Sequence, residues 1–300
     1  MRVLLAGSTG LIGSAVADRL RAQHTLYTLG RQPKLVDFVV DLSDPAQIAN
    51  LKLPAFDCLV HCAGVIDEDF KVDAMAAYRR ATLGVEALLD AAAESGCRRF
   101  IYVSSTHVYG PQVGVKREDS PIDPQSHYAL AHFCSEQLFR RHAAKCNGSY
   151  VVLRPNAVYG LPAYPESFQR WSLIPFSFPG EAKKEGRITL KSSGLQKRNF
   201  VSTAAIADVV DRCAEGDLSE ATGAINVLGS ETESVYEFAQ RCRHIAEEQL
   251  GRPCEVERPV SSLDAPGAGI GSDFFLFSRF EQPRPAEELS EFIKRFITLC

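Results

Sequence analysis

Three glycines near the start of the chain have the spacing of a phosphate-binding turn. Val3 to Ala6 form an apolar run too short for a helix, and the glycines follow before a helical apolar face begins. A pyrophosphate needs backbone N–H groups without obstructing side chains, and the positive end of a helix favours an anion. The pattern predicts a dinucleotide site, although a βα turn that binds nothing would share it. Its residues would be Gly7, Thr9, Gly10, Leu11, Ile12 and Gly13.

The end of the second predicted strand bears on the choice of cofactor. Leu26 to Leu29 form this strand, and Gly30-Arg31 follows it. An acidic residue there would accept hydrogen bonds from the ribose hydroxyls of NAD, whereas an arginine pairs with the 2′-phosphate of NADP. Arg31 therefore favours NADP over NAD, with a solvated loop cation as the alternative interpretation.

The elements that position these residues alternate between strands and helices. Short apolar runs predict further strands at 38–40, 57–61, 100–103, 151–153 and 224–228, and a long helical pattern fills 78–93. This order predicts an α/β fold with a doubly wound, mainly parallel sheet, the Rossmann fold. In such a sheet the ligand lies along the carboxyl ends of the strands. The cofactor would therefore also contact Asp41, Leu42, Cys62, Ala63 and Gly64.

The second half of the chain changes character after Pro155. Residues 1–155 form the predicted NAD(P)-binding domain, and 199–228 return to it with a helix near 203–214. Residues 156–198 and 229–300 form a smaller C-terminal substrate-binding region, in which 160–198 are expected to be irregular because their periodicity is weak. Amphipathic helices are predicted at 234–250 and 286–296, and the glycine- and proline-containing stretch 263–271 is expected to be a mobile loop.

Composition narrows the class of protein. The chain has 300 residues, of which 45% are hydrophobic and 23% charged, with a formal net charge of −4. This balance points to neither nucleic acid nor a membrane surface, and no apolar run approaches the roughly 20 residues of a membrane span. The glycine turn leaves no room for a signal peptide before it, and the nine cysteines lack a C-x-x-C pair. Free thiols in a reducing compartment, and hence a cytoplasmic protein, are expected.

Taken together, several short motifs resemble one family. They are Gly7-x-x-Gly10-x-x-Gly13, Asp41-Leu42, Phe100-Ile-Tyr-Val-Ser-Ser105, Val108-Tyr-Gly110, Tyr128 with Glu136 eight residues on, Leu153-Arg-Pro155, Val158-Tyr-Gly160 and Arg198-Asn-Phe-Val201. In order and spacing they resemble the extended short-chain dehydrogenase/reductases, which include NAD(P)-dependent nucleotide-sugar epimerases, dehydratases and reductases. The similarity covers nearly the whole chain.

The resemblance implies roles for individual residues. Tyr128 would exchange a proton with a substrate hydroxyl as acid and base, and Ser105 would orient the same oxygen as a hydrogen-bond donor. His132 stands where the family has a lysine that favours deprotonation of the tyrosine and bonds the nicotinamide ribose. Tyr128 and His132 would therefore also contact the cofactor. Thr106, Asn156 and Arg198 would bind substrate, Arg198 at the nucleotide diphosphate. A homodimer through the helix after the fourth strand and the catalytic helix is a further implication.

The histidine at position 132 departs from the family. A phenol ordinarily has a pKa of about 10 and is a poor base at neutral pH unless a cation favours the phenolate. An imidazole with an ordinary pKa of about 6.5 is mostly uncharged there and supplies much less charge than lysine. His107, His127 and His132 lie close in sequence, but without a carboxylate or cysteine at a coherent spacing we predict no metal site.

Three functions therefore remain open at this stage. The first is an NAD(P)-dependent epimerase, dehydratase or reductase acting on a nucleotide sugar, which Arg198 favours. The second is a dinucleotide-binding sensor or assembly protein with weak or no turnover, which His132 favours. The third is an NADPH-dependent reductase of a small carbonyl compound, which Arg31 and Ala157 favour, because the family often has a diphosphate-binding asparagine where Ala157 stands.

Overall fold

The structure is a computed structural model that describes residues 1–216, 222–259, 273–282 and 287–300. The first half of the chain contains β1 (Arg2–Ala6), α1 (Leu11–Arg21), β2 (Thr25–Gly30), β3 (Phe38–Val39), α2 (Pro45–Ala49), β4 (Cys58–His61), α3 (Asp67–Arg79), α4 (Val85–Glu94), β5 (Arg99–Val103), β6 (Gly114–Lys116), α5 (His127–Lys145) and β7 (Ser149–Pro155). The second half contains β8 (Ala157–Tyr159), α6 (Ile174–Glu185), β9 (Arg187–Thr189), β10 (Lys197–Ser202), α7 (Thr203–Glu215), β11 (Gly223–Val227), β12 (Glu231–Ser234), α8 (Val235–Leu250), β13 (Glu255–Glu257), β14 (Phe274–Leu276) and α9 (Leu289–Leu299).

The central sheet has seven strands in the order β11-β7-β5-β4-β1-β2-β3. All six neighbouring pairs are parallel. Strand order runs outward in both directions from the β4–β1 pair, so the connections leave on opposite faces and open a crevice at their carboxyl ends. The predicted doubly wound Rossmann sheet is confirmed.

Apolar side chains cover both faces of this sheet. On one face Val3, Leu5 and Val60 pack against α1 and α7. On the other face Leu4, Leu59 and Phe100 pack beside α4 and α5. Buried strands with apolar residues on both sides explain why they appear in the sequence as continuous apolar runs rather than alternating ones.

A second core lies beyond the carboxyl ends of the strands. Phe176 on α6, Phe238 on α8 and Phe292 on α9 are each no more than 1% exposed and belong to one apolar cluster. The α6 helix contradicts the expectation that 160–198 are irregular. Its prolines, Pro175 in the first turn and Pro179 within the helix, are the reason, because sequence patterns treat proline as a helix breaker while burial of the aromatic face holds the helix together.

Smaller differences concern helix boundaries. The helix expected over 78–93 is divided into α3 and α4 by a π-helical turn, Arg80–Gly84. A Cβ on Gly84 would lie 1.8 Å from the Leu42 carbonyl oxygen, so the chain passes close there in a way that apolar periodicity does not reveal. The last helix begins at Leu289 rather than at the expected residue 286. Residue 286 and the stretch 263–271, expected to be a mobile loop, lie outside the described residues. Among the described helices, none is both long and apolar enough to cross a membrane.

Candidate active site

A deep cleft of about 1190 Å³ runs along the carboxyl ends of the central strands. It extends from the glycine turn after β1, past the ends of β4 and β5, to the segment between β8 and α6 and to β10. Most of the predicted site residues line it. They are Gly7, Thr9, Gly10, Leu11, Ile12, Arg31, Asp41, Leu42, Cys62, Ala63, Gly64, Ser105, Tyr128, Asn156 and Arg198.

The glycine turn has the features of an anion cradle. Gly7 has φ +87°, and a Cβ there would lie 2.7 Å from the Ala63 nitrogen. A Cβ on Gly13, which lies beneath the turn, would lie 1.9 Å from the Gly7 carbonyl oxygen, so neither position admits another residue. Gly10 caps α1, and no side chain among the described residues bonds the first-turn amides. These open N–H groups fit the pyrophosphate of a dinucleotide.

The cleft wall beyond β2 and β3 carries two cations and a carboxylate. Burial opposes ionisation of Asp41, but hydrogen bonds from Ser43 and the charges of Arg80 and Arg31 hold its pKa below the usual value. Arg80 pairs with Asp69 at 3.0 Å. Arg80 was not identified from the sequence, because it lies on the π-helical turn, whose course apolar periodicity does not reveal.

Tyr128 and Ser105 each lie next to His107, near the end of β5. Ser126 caps α5 by accepting a hydrogen bond from the Ala129 amide, which places Tyr128 in the first turn. Ser105 caps the short turn Thr106–Tyr109 and is 4% exposed. Both line the cleft. Among the described residues, the Tyr128 hydroxyl has no hydrogen-bond partner, so it is open to a substrate oxygen.

His132 lies behind Tyr128 and does not line the cleft. Its Nδ1 accepts a hydrogen bond from the Tyr102 hydroxyl at 2.6 Å, and its Nε2 donates to the Val65 carbonyl oxygen at 3.2 Å. Burial lowers its pKa to about 3. The ring centroids of His132 and Tyr128 are 4.4 Å apart, but both imidazole nitrogens are occupied by protein groups. The imidazole is neutral and contributes no positive charge to Tyr128.

Two further side chains approach Tyr128 from the cleft. His107 lies edge-on to its ring at a centroid distance of 5.8 Å, and its Nδ1 is 3.0 Å from Ser105 Oγ. The Arg170 guanidinium carbon lies 5.4 Å from the Tyr128 ring centroid, and Arg170 pairs with Asp67 at 3.1 Å. The position of Arg170 was not evident from the sequence because it belongs to a segment without periodicity, 42 residues along the chain from Tyr128.

The three predicted substrate residues have different environments. Thr106 is fully buried, and its hydroxyl lies 2.6 Å from the Asn156 amide nitrogen, so Thr106 supports Asn156 rather than lining the cleft. Arg198 lines the cleft, and burial lowers its pKa. Its guanidinium donates a hydrogen bond to the Lys197 carbonyl oxygen, and no carboxylate in the described part of the chain pairs with it. A partly desolvated cation without a counter-ion is suited to an anionic ligand.

A buried ion pair holds the floor of the site. Arg154 on β7 donates to both oxygens of Glu136 on α5, at 3.0 and 2.6 Å. Glu136 also accepts a hydrogen bond from the Ser104 hydroxyl at 2.6 Å. Because this network joins two strand ends to the helix that carries Tyr128, it fixes their relative position. Glu136 and Arg154 contribute to the family resemblance, and in this structure they position the helix that carries Tyr128 against the sheet.

The sequence is similar to proteins of one family. The sequence model of the "NAD dependent epimerase/dehydratase family" matches residues 3–228. A mouse dTDP-D-glucose 4,6-dehydratase is 27% identical over 69% of this chain and 62% of its own length. A Vibrio cholerae UDP-glucose 4-epimerase is 27% identical over 71% of this chain and 66% of its own. The chain thus spans less than two thirds of these relatives.

Solved structures agree on the fold. A UDP-glucose 4-epimerase of Thermotoga maritima, solved with UDP-glucose, superposes with a TM-score of 0.80 at 18% identity, covering 99% of this chain and 98% of that one. A dTDP-glucose 4,6-dehydratase of Streptomyces venezuelae with NAD bound gives 0.75 at 20% identity, covering 99% and 96%. At these identities the likeness supports the architecture alone.

Proposed function

Because the chain belongs to the NAD dependent epimerase/dehydratase family, we propose that it is an NAD(P)-dependent epimerase or dehydratase acting on a nucleotide sugar. The observation that carries the substrate class is Arg198, a cation inside the cleft without a carboxylate partner among the described residues. A nucleotide diphosphate would supply the missing negative charge. The relatives bearing epimerase and dehydratase names support the same class.

The proposed chemistry divides the cleft into two ends. The first-turn amides of α1 would hold the pyrophosphate of the dinucleotide, which when bound supplies a hydride acceptor. Tyr128 and Ser105 would hold the sugar hydroxyl to be oxidised, because both line the cleft and both contact His107. Arg198 would fix the diphosphate and so bring the sugar to these hydroxyls. The site residues predicted from the sequence keep these assignments as proposals.

The choice between NADP and NAD rests on Arg31. It lines the cleft just beyond β2, where a 2′-phosphate would meet both Arg31 and Arg80. We therefore favour NADP, although the relatives solved with a cofactor hold NAD. Arg31→Ala should weaken NADPH about tenfold or more and leave NADH nearly unchanged, measured by fluorescence titration. Equal loss for both cofactors would remove this preference.

The first experiment is to denature the purified protein and identify released dinucleotide by mass spectrometry. An epimerase or dehydratase regenerates its cofactor in each cycle, so near one NAD or NADP per chain is expected. The holoprotein should then convert UDP- or dTDP-glucose to an isomer or a 4-keto sugar, followed by NMR. Cofactor binding without turnover on a broad panel would favour the alternative, a dinucleotide-binding sensor, which the neutral His132 also favours.

We further propose a cytoplasmic homodimer. All nine cysteines are free thiols, which suits a reducing compartment. The face formed by the π-helical turn and α5 exposes Leu83 at 58% and Leu130 at 41%, around a shallow depression lined by Phe133 and Leu138. Leu83→Glu should convert a dimer to a monomer in light scattering, while Val115→Glu on the exposed β6 should leave the mass unchanged. A monomeric parent protein would contradict this assembly.

A further inference from the structure

The turn after β5 contains a serine and a histidine in contact. Ser105 Oγ accepts a hydrogen bond from the His107 backbone N–H at 3.3 Å, and it lies 3.0 Å from His107 Nδ1. Ser105 is 4% exposed, while the His107 side chain is exposed to the cleft that both residues line. The two residues are therefore fixed relative to each other and open toward the same space.

The direction of their hydrogen bond follows from the partners of Ser105. A buried hydroxyl carries one hydrogen, which needs an acceptor. Within the described part of the chain, the acceptor for that hydrogen is His107 Nδ1, because the backbone contact to Ser105 is a donor. Ser105 thus donates to Nδ1, which places the hydrogen of the neutral imidazole on Nε2.

The other imidazole near Tyr128, that of His132, has no hydrogen bond to a residue that lines the cleft. Its two nitrogens are bound by Tyr102 and Val65, and it is 4% exposed. His132 can therefore neither take a proton from the substrate nor supply the charge that would turn Tyr128 into a phenolate. A proton leaving the substrate needs another acceptor.

We propose that Ser105 and His107 form the proton relay of this site, which rests on and deepens the proposed function. When the sugar C–OH is oxidised, its hydroxyl proton would pass to Ser105 Oγ and the Ser105 proton to His107 Nδ1, while a dinucleotide held at the first-turn amides of α1 would supply the hydride acceptor. The alcohol would become a carbonyl, and His107 would carry the proton as imidazolium. The reverse sequence would return the proton and the hydride to the carbonyl. In this relay Tyr128 orients the reacting oxygen as a hydrogen-bond donor, in place of the acid and base role that the family resemblance implies.

The surroundings of His107 set its resting protonation state. The side chain is open to the cleft, but the cleft walls desolvate it, which lowers its pKa to about 4; Arg198 on β10 and Arg170 lower it further, while Asp67 on α3 raises it. Ser105 and Tyr128 are its uncharged neighbours. His107 therefore rests as a neutral imidazole, the form that can accept a proton, and Asp67 is the charged neighbour that favours the imidazolium once it forms.

One variant separates proton transfer from packing. An asparagine in place of His107 would keep an acceptor for the Ser105 hydroxyl but could not take up a proton, so His107→Asn tests basicity alone. We expect His107→Asn to lower kcat about 100-fold or more with little change in KM, cofactor affinity or melting temperature. His244→Gln changes an exposed histidine on α8 and serves as the matched control. Since the two residues act as a unit, His107→Asn on a Ser105→Ala background should add little further loss.

A second readout is independent of turnover. NMR of ¹⁵N-histidine in the holoprotein should show a neutral His107 with the hydrogen on Nε2 and an acceptor-type Nδ1, and Ser105→Ala should shift the Nδ1 resonance. An Nδ1–H tautomer, or a kcat of His107→Asn within threefold of the parent, overturns the relay. An inert parent protein with the expected tautomer would instead remove the proposed function, and with it the catalytic role of the pair, so the two failures are distinguishable.

Discussion

The two flanks of Tyr128 each present an imidazole, and they are built in opposite ways. On the helix flank, His132 is enclosed, with one nitrogen on Tyr102 and the other on Val65. On the cleft flank, His107 shares a hydrogen bond with Ser105 and lines the cleft. Burial keeps both neutral. The difference shows that a neutral histidine can serve packing or chemistry according to what its nitrogens contact, not according to its charge.

The largest effect should come from placing a cation on the helix flank. His132→Lys puts an ammonium where burial already lowers the pKa of an imidazole to about 3, and it removes the acceptor of the Tyr102 hydroxyl. We expect a loss of about 3–5 kcal/mol in the free energy of unfolding, measured with urea. Restoring the family lysine at this position should therefore destabilise the protein rather than activate it. A stable His132→Lys protein with higher kcat would make the helix flank the catalytic one.

The enclosed histidines should also make stability depend on pH. Burial lowers the pKa of His132 to about 3 and of His61 to about 4, whereas the unfolded chain titrates near 6.5. The unfolded state thus binds more protons below pH 6.5, so the free energy of unfolding falls as pH drops from about 6.5 toward 4. The slope approaches about 1.4 kcal/mol per pH unit for each histidine.

His61 offers a clean way to test that slope. It stacks against both Tyr102 and Phe139, and its Nδ1 has no hydrogen-bond partner in the described residues. His61→Phe should keep the stacking and flatten the loss of stability between pH 7 and 5, as measured by urea unfolding at several pH values. An unchanged pH slope in this variant would show that His61 titrates normally.

The smallest effect should appear on the cleft flank. Arg198 contributes to lowering the pKa of His107, so Arg198→Met should move that pKa slightly upward in an NMR titration. Binding of UDP-glucose to the same variant should weaken about tenfold or more, because the diphosphate loses its cation. Arg187→Met, which changes an exposed arginine on β9, should alter neither quantity. An unchanged pKa of His107 in the Arg198→Met variant would show that Arg198 does not influence the relay.

The sequence allowed much of the sheet to be predicted, and physical reasons explain the rest. The glycine turn and the strand ends are local patterns, so their residues could be placed together from the sequence alone. Helix α6 was missed because its prolines resemble loop signals, and the π-helical turn because its effect is only a small change in period. Arg170 and His107 reach Tyr128 through tertiary contacts, which no spacing in the sequence encodes.

The prediction for His132 shows where spacing stops being informative. His132 lies four residues, or one helical turn, after Tyr128, and this spacing accounts for the contact between the two rings. Spacing could not reveal that Tyr102 and Val65 occupy its nitrogens, because these contacts come from β5 and from the loop after β4. Its assignment to the cofactor and to catalysis stays a prediction, and the relay through His107 is the alternative that the contacts favour.

The close approach of His132 to Gly64 couples positions that are far apart in the chain. A Cβ on Gly64 would lie 2.8 Å from His132 Cε1, so the imidazole occupies the space that any larger residue at 64 would need. Positions 64, 102 and 132 should therefore vary together among homologous chains. We expect those with histidine at the equivalent of 132 to keep glycine at 64 and a hydroxyl donor at 102, so that covariation alone would identify the subgroup in which the helix flank is enclosed.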